Sequence, residues 1–449
     1  MGITSSLARE FAGIGKLTER DKGMLRLLIL DFFAASYAGY RQNRAFNDAV
    51  EAVVLPQGGA EEATVFGSGR RLPAGKAAFL NAVYAHGAEL DDGSKKAMGH
   101  VGTHVIPAVF ALAETRPVSE ERVLEALAVG YEAYIRLSAA AQPGMVQRGF
   151  HSTGMAGTLS CAAACAKLLS LDARGIEDAV ALATTMTGGL LSYGDSRPAI
   201  KPLNPGKAAE CGVFAAQLAA RGVRGPEEAL EGPNGWFHAA AEKIEEKHLQ
   251  GGDHLLLHDC YIKLYPSCRH THCGIEAGID LHGQLNGRRI QSAEVYIYPN
   301  AIKLAGQIRY PKDQDETKFS IHYTLACALR NGRYGIGDMD PPDLSAPMRE
   351  MIDKITLIPD ESMEDREKGI RGARVRVTLD TGEALEETVL VPKGDPEKPL
   401  SRADVLDKLA VCAGNSASAE EQAALAERIA AFGGDRQFSY PITAGETEK

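Results

Sequence analysis

Three stretches, residues 151–169, 176–190 and 206–221, are rich in Ala, Gly, Ser and Thr. Side chains this small let helices approach one another closely, which constrains the chain to a compact all-α layer with few aromatic residues. Capping signals agree with that reading. Thr18 stands three residues before Asp21, ahead of an apolar run, as in a capping box. Ser119 opens "SEERVLEALAVGYEAYIRLSAAA", with Glu120 and Glu121 placed in the first turn where acidic residues are favoured. Helical texture persists to about residue 260. It returns in "PLSRADVLDKLAVCAG" and "AEEQAALAERIAAF", where Ser401 is positioned as a cap.

Between these helical parts the texture changes. "SAEVYIYP" (292–299) alternates as a strand does, and "ARVRVTLDTGEALEETVLVP" (373–392) reads as two strands around a turn at residues 380–382. "TKFSIHYTLACALRNG" is helical in pattern. The expected fold is therefore mainly α with an inserted α+β domain. Residues 1–264 and 397–449 form a helical domain, residues 265–396 form an α+β lid, and the tail "TAGETEK" frays. No internal repeat at solenoid spacing is present.

At 449 residues and 45% hydrophobic content, the chain can bury cores for two domains. Its 49 basic and 59 acidic side chains leave a net charge of −10. That balance argues against a nucleic-acid partner, and it requires a locally positive pocket for any anionic substrate. The longest apolar candidate, "MLRLLILDFFAASYAGY", is interrupted by Arg26 and Asp31, so no membrane span is expected. "MGITSSLAREF" has no apolar signal core, and the eight cysteines form no disulfide framework; a cytoplasmic setting with reduced thiols fits.

The densest cluster of chemically active residues is "YPSCRHTHCG" (265–274), with Cys268, His270, His272 and Cys273 inside six positions. Zinc sites pair their ligands with a second pair farther along, and four ligands this crowded can hardly surround one ion. "GHVGTHVIP" spaces His100 and His104 as a helical metal pair would, but lacks the intervening Glu, and its glycines and Pro107 suggest a loop entering a helix. A metal-dependent hydrolase or lyase using His100, His104, Cys268 and Cys273 is the competing reading; the favoured one has no metal. "NPGKAA" and "GSGRRL" fail as nucleotide loops.

Other residues point to carboxylate chemistry. "GFHSTG" puts His151 just before a small-residue helix, whose N-terminus suits an anion. "IKPLNPGKAAECG" places Lys201 and Lys207 around a Pro-Gly turn that opens a helix, and Lys263 lies between Ile262 and Leu264. Removing a proton beside a carboxylate needs a positioned base, which contributes roughly 10²–10⁴-fold, and cationic groups to hold the developing charge. Each charged hydrogen bond from a Lys contributes about 1.5–3 kcal/mol to anchoring. Histidine is neutral, and so able to accept a proton, near pH 7.

Taken in order, "NAVYAHGAELDDG", "GHVGTHVIPAVFALAE", "GFHSTGMAGT", "KPLNPGKAAECGVFAAQLAARGVRGP", "YPSCRHTHCGIEA" and "FSIHYTLACAL" resemble the MmgE/PrpD family over most of residues 20–330, and "SRADVLDKLAV" resembles its C-terminal helix. The resemblance implies a cofactor-independent enzyme, usually a homodimer, with a cleft between a helical domain and an α+β lid. Its substrate would be a small di- or tricarboxylate. The cleft would receive Asp92, His100, His151, Lys201 and Lys263, while Cys268, Arg269 and His272 would face substrate or brace the lid. In this reading His151 is the general base, and His100 and Asp92 orient groups or shuttle protons. Lys201 and Lys263 hold carboxylates, Lys207 assists binding, and Tyr310 or Tyr323 supplies a further acid. Dehydration of a 2-methylcitrate-like substrate leads. Epimerisation of a small dicarboxylate and decarboxylation of a cis-aconitate type follow as alternatives.

Overall fold

The caps read from the sequence do start helices. Thr18 and Asp21 close a capping box on the helix Glu19–Gln42, the Ser119 hydroxyl accepts from the Arg122 N–H at the start of Glu120–Ala140, and Ser401 with Asp404 caps Arg402–Ala413. These elements belong to a computed structural model that describes residues 2–192, 200–365 and 368–442; the tail expected to fray, 443–449, lies outside the described residues. Contacts divide the chain into two units, one made of residues 1–262 and 401–449, the other of residues 263–400.

The first unit is helical. Every residue of the helix Ser152–Leu168 is buried, and it packs on Leu203–Ala219 and Glu120–Ala140. The small residues permit this density. A Cβ added at Gly212 would lie 2.2 Å from the Cβ of Cys161 and 2.9 Å from the backbone nitrogen of Ala162, so the two helices touch nearly backbone to backbone. The small-residue stretch 176–190 departs from expectation. Its helix spans Ala173–Ala183, ends in a single 3-10 turn and then leaves helical geometry. Thr184 and Thr185 turn their hydroxyls onto the carbonyls of Ala181 and Leu182, and Gly189 takes a φ of +121° that no helix accommodates. Likewise, Pro205 and Gly206 lie within the first turn of Leu203–Ala219 instead of preceding it, so Lys201 lies ahead of the helix and Lys207 on it.

The C-terminal helix Arg402–Ala413 packs on Glu19–Gln42. It delivers the buried Lys408 ammonium to the Asp31 carboxylate and, at 2.7 Å, to the carbonyl of Leu90. Among the described residues, no helix is long and apolar enough to cross a membrane.

The second unit carries a four-stranded sheet in the order Ala384–Val389, Ala373–Leu379, Ile290–Ile297, Ile355–Pro359. The first two form the antiparallel hairpin read from sequence, with Gly382 at φ +84° in its turn. Ile290–Ile297 pairs antiparallel with Ala373–Leu379 and parallel with Ile355–Pro359. That last strand is five residues long at the sheet edge, too short to show alternation. Helices His272–Leu285 and Ile321–Asn331 share the core with the sheet through Ile275, Leu281, Leu325, Val295, Val375 and Val377.

Removing one partner of a buried ion pair typically costs about 3–5 kcal/mol because the other charge remains uncompensated. Lys408→Met should accordingly lower the urea midpoint of the helical unit, followed by far-UV circular dichroism. An unchanged midpoint would show that Asp31 and the Leu90 carbonyl do not depend on this ammonium.

Candidate functional site

The segment "HGAELDDG" leaves the end of the helix Ala74–Gly87 and turns back sharply at Glu89, whose φ of +55° is rare for a residue with a side chain. Backbone held this way persists only where surroundings fix it. Here two ammonium groups do so. Lys201 Nζ lies 2.6 Å from Glu89 Oε1 and also bonds Oε2, and Lys408 holds the next carbonyl, that of Leu90. Glu89 is buried, 4% exposed.

Three histidines surround this turn. His86 Nδ1 lies 2.8 Å from Asp91 Oδ2, and His100 Nδ1 lies 3.2 Å from the same oxygen and 3.1 Å from the carbonyl oxygen of Asp92. Both neighbours of His100 Nδ1 are acceptors, so that nitrogen carries a proton and directs the other, Nε2, toward Glu89 Oε1 at 3.3 Å. The His86 ring stands edge-on to His100 at 4.7 Å and 6.2 Å from that of His151. His151 precedes the first residue of Ser152–Leu168 and receives the Asn204 side-chain amide at its Nδ1, 2.9 Å away.

Electrostatics separate the members. Burial by itself would raise Asp91, but His100 and His86 outweigh it with charge and hydrogen bonds and hold its carboxyl well below the usual range. Burial pushes His86 down to about 4, against the pull of Asp91 and with help from Lys201. Burial also takes His151 well below 6.5, and Lys201, His86 and His100 act in the same direction. His86 and His151 are therefore neutral at pH 7 beside a charged Asp91.

The structure thus brings together His100, His151 and Lys201 of the expected residues and adds His86, Glu89 and Asp91. Asp92 joins through its carbonyl. Its carboxyl accepts from the Gly102 N–H at 2.7 Å and from the Tyr131 hydroxyl at 2.8 Å, and burial with the nearby Asp31 raises it to about 7. The missed residues were all in the quoted "AHGAELDDG". Their signal was a string of titratable side chains in an otherwise small and apolar stretch, but sequence could not say which carboxylates turn inward.

Three expected contributors have partners of their own. Lys207 is 64% exposed in its side chain and pairs with Glu210 at 2.8 Å, one helical turn away. Tyr310 donates its hydroxyl to Asp353 at the surface of the second unit. Tyr323 is buried, donates to the Asp338 carbonyl at 2.6 Å and accepts from the Asp343 N–H at 2.9 Å, so its hydroxyl is committed to backbone.

In the second unit, "YPSCRHTHCG" forms a single 3-10 turn, Arg269–Thr271, running into His272–Leu285. The side chains that were candidate ligands go to separate partners. His270 meets the Tyr298 hydroxyl, His272 Nε2 the Ser267 carbonyl at 3.4 Å, and Cys273 donates to the Arg371 carbonyl at 3.1 Å with its thiol pushed up by burial to about 12. Arg269 forms a buried pair with Asp395, a bracing contact, and Cys268 is fixed through its N–H to the Lys318 carbonyl at 2.8 Å. Burial holds His270 down to about 3, with help from Arg371, Arg269 and Lys263, the last itself buried at the start of this unit.

Within each unit, the residues of the competing metal reading go to separate partners. His104 lies inside the helix Gly102–Ala113 with Nε2 3.3 Å from Ser160 Oγ, away from the His86–Glu89–His100 group. That group is the one set among the described residues whose ligating atoms lie within 4.8 Å of one another, and His86 Nε2 is buried without a hydrogen-bond partner there. Lys201 already presents an ammonium to both oxygens of Glu89.

His104 also generates a measurable pH dependence. Burial lowers it to about 3, and His86 and His100 add to the effect, so below pH 6.5 the unfolded chain binds a proton that the folded chain refuses. Stability is lost as pH falls from 6.5 toward 3, by an amount on the order of a few kcal/mol. His104→Gln cannot titrate. Its stability deficit against the parent should narrow between pH 7 and pH 4 in urea titrations; a constant deficit would contradict a neutral buried His104.

Comparison with known proteins bears on the whole chain. The MmgE/PrpD N-terminal domain matches residues 13–247, and the MmgE/PrpD C-terminal domain matches residues 265–432. The chain is similar to the cis-aconitate decarboxylase of Homo sapiens, 28% identical over 428 residues covering 90% of this chain and 86% of the human protein. It is also similar to the cis-aconitate decarboxylase of Aspergillus terreus, 27% identical over 419 residues covering 87% and 84%. A cis-aconitate decarboxylase-like protein from Aspergillus oryzae is 28% identical over 373 residues, 77% of each chain. With both family domains matched in order across nearly its full length, the chain belongs to the MmgE/PrpD family.

Proposed function

We propose that this protein is a lyase that acts on a small di- or tricarboxylate by moving a proton at the carbon beside a carboxylate. The observation that carries the reading is the Asp91–His100 pair beside the Lys201–Glu89 pair. Asp91 stays ionised, takes the proton of His100 Nδ1 as a hydrogen bond and leaves Nε2 as the nitrogen able to exchange a proton. The sequence assigned the base to His151; the hydrogen bonding favours His100. Lys201 supplies positive charge where a carboxylate gathers electron density, and it does so as an ammonium fixed on Glu89, without calling on a metal ion.

The names of the relatives make loss of CO₂ from a cis-aconitate-like substrate the leading outcome. Dehydration of a hydroxy-tricarboxylate is the second, supported by the same Asp91-backed base, which elimination across a C–C bond requires. Proton NMR in D₂O with cis-aconitate, hydroxy-tricarboxylates and chiral dicarboxylates distinguishes decarboxylation, elimination and inversion directly. Conversion of at least one of these is expected, with kcat lowered by about 10²-fold or more in His100→Ala. No deuterium incorporation and no conversion across the panel would defeat the assignment.

A further inference from the structure

One helical turn serves two of the site's groups at once. The Asn204 N–H bonds the carbonyl of Lys201 at 3.2 Å, so both residues project from the same turn ahead of and into Leu203–Ala219. Lys201 reaches Glu89 from it, and Asn204 reaches His151. The two contacts differ in kind. An amide –NH₂ has protons to give and no lone pair to offer, so the ring nitrogen facing it must accept. A neutral imidazole that accepts at Nδ1 carries its only proton at Nε2.

We infer that Asn204 is a positioning residue which fixes His151 as the Nε2–H imidazole, making it a neutral hydrogen-bond donor to the substrate's developing oxyanion instead of the base that removes a proton. This deepens the lyase reading and rests on it for the words "substrate" and "oxyanion"; the tautomer itself does not. The surroundings favour the neutral ring. Burial is the main cause, the ammonium of Lys201 and the neighbouring imidazoles of His86 and His100 act in the same direction, and Glu89 is the opposing anion. No proton leaves His151 in this role. In elimination or inversion the C–H proton goes to His100 Nε2 and its bonding pair delocalises onto the carboxylate oxygens. In decarboxylation that pair comes from the C–C bond that releases CO₂, and His100 Nε2 delivers the replacing proton to carbon. In each case the Nε2–H of His151 hydrogen-bonds a carboxylate oxygen. His100 and His151 thereby differ at Nδ1, protonated in His100 by the acceptors Asp91 and Asp92 and unprotonated in His151 by the donor Asn204.

The test is ¹⁵N NMR of histidine-labelled full-length protein, with His151 assigned by its disappearance in His151→Gln. The expected spectrum has unprotonated Nδ1 and protonated Nε2 at pH 7, unchanged down to pH 5.5. In Asn204→Asp the carboxylate demands a proton at Nδ1, so that nitrogen should become protonated, and kcat should fall by roughly 10²-fold, the loss seen when one oxyanion donor is removed, with KM changed far less. His151→Gln, which keeps a neutral N–H, should retain more activity than His151→Ala. A protonated Nδ1 in the parent overturns the inference even if Asn204→Asp does not fold. Equal loss in His151→Gln and His151→Ala overturns the donor role. A correct tautomer in a protein that converts none of the carboxylates would leave Asn204's positioning intact and remove the lyase reading alone.

Discussion

The ion pair between Lys201 and Glu89 organises the helical unit's chemistry. Placing an ammonium and a carboxylate in a buried site carries a desolvation cost of several kcal/mol per ion, and only tight geometry offsets it. Here both Glu89 oxygens meet Nζ. The pair joins two remote pieces of chain, the turn after Ala74–Gly87 and the turn before Leu203–Ala219. It holds Glu89 in a left-handed conformation that the backbone alone would abandon. Once that turn is fixed, Asp91 faces inward between two imidazoles, and Asp92 faces outward to the N-terminus of Gly102–Ala113.

Adjacent carboxyls in one dipeptide therefore acquire opposite characters. Asp91 is held ionised by His100 and His86, while burial and the nearby Asp31 raise Asp92 to about 7 against its hydrogen bonds from Tyr131 and the Gly102 N–H. Environment, not residue type, decides which is the anion. The same holds for the histidines, whose ring protons are set by whether the neighbour is an acceptor, as at His100, or a donor, as at His151.

Much of this was readable in the chain, and the reasons for success and failure are physical. Caps at Thr18, Ser119 and Ser401 depend on residues three apart, and close approach of helices depends on side-chain volume, so local sequence carries both. His100, His151 and Lys201 stood out because they are charged or titratable inside apolar, small-residue segments. Glu89, His86 and Asp91 did not, because choosing among four ionisable residues in "HGAELDD" requires the sign of one φ angle. Lys207 and Tyr323 looked equally eligible in one dimension. Helical phase sends Lys207 to Glu210 and solvent, and tertiary packing closes two backbone groups around the Tyr323 hydroxyl. The edge strand Ile355–Pro359 was missed because its five residues, one buried, two half-buried and two exposed, lack an alternating face.

Lys408 touches the carbonyl of Leu90 across 318 positions of sequence. Ribosomes release a chain from its N-terminus, and domains generally fold in that order as they emerge. The segment bearing Glu89 and Asp91 is thus made early and waits, without its second ammonium clamp, through the translation of most of the polypeptide. A nascent or prematurely terminated product can own every imidazole of the cluster and still lack the brace that Lys408 brings to the Leu90 carbonyl.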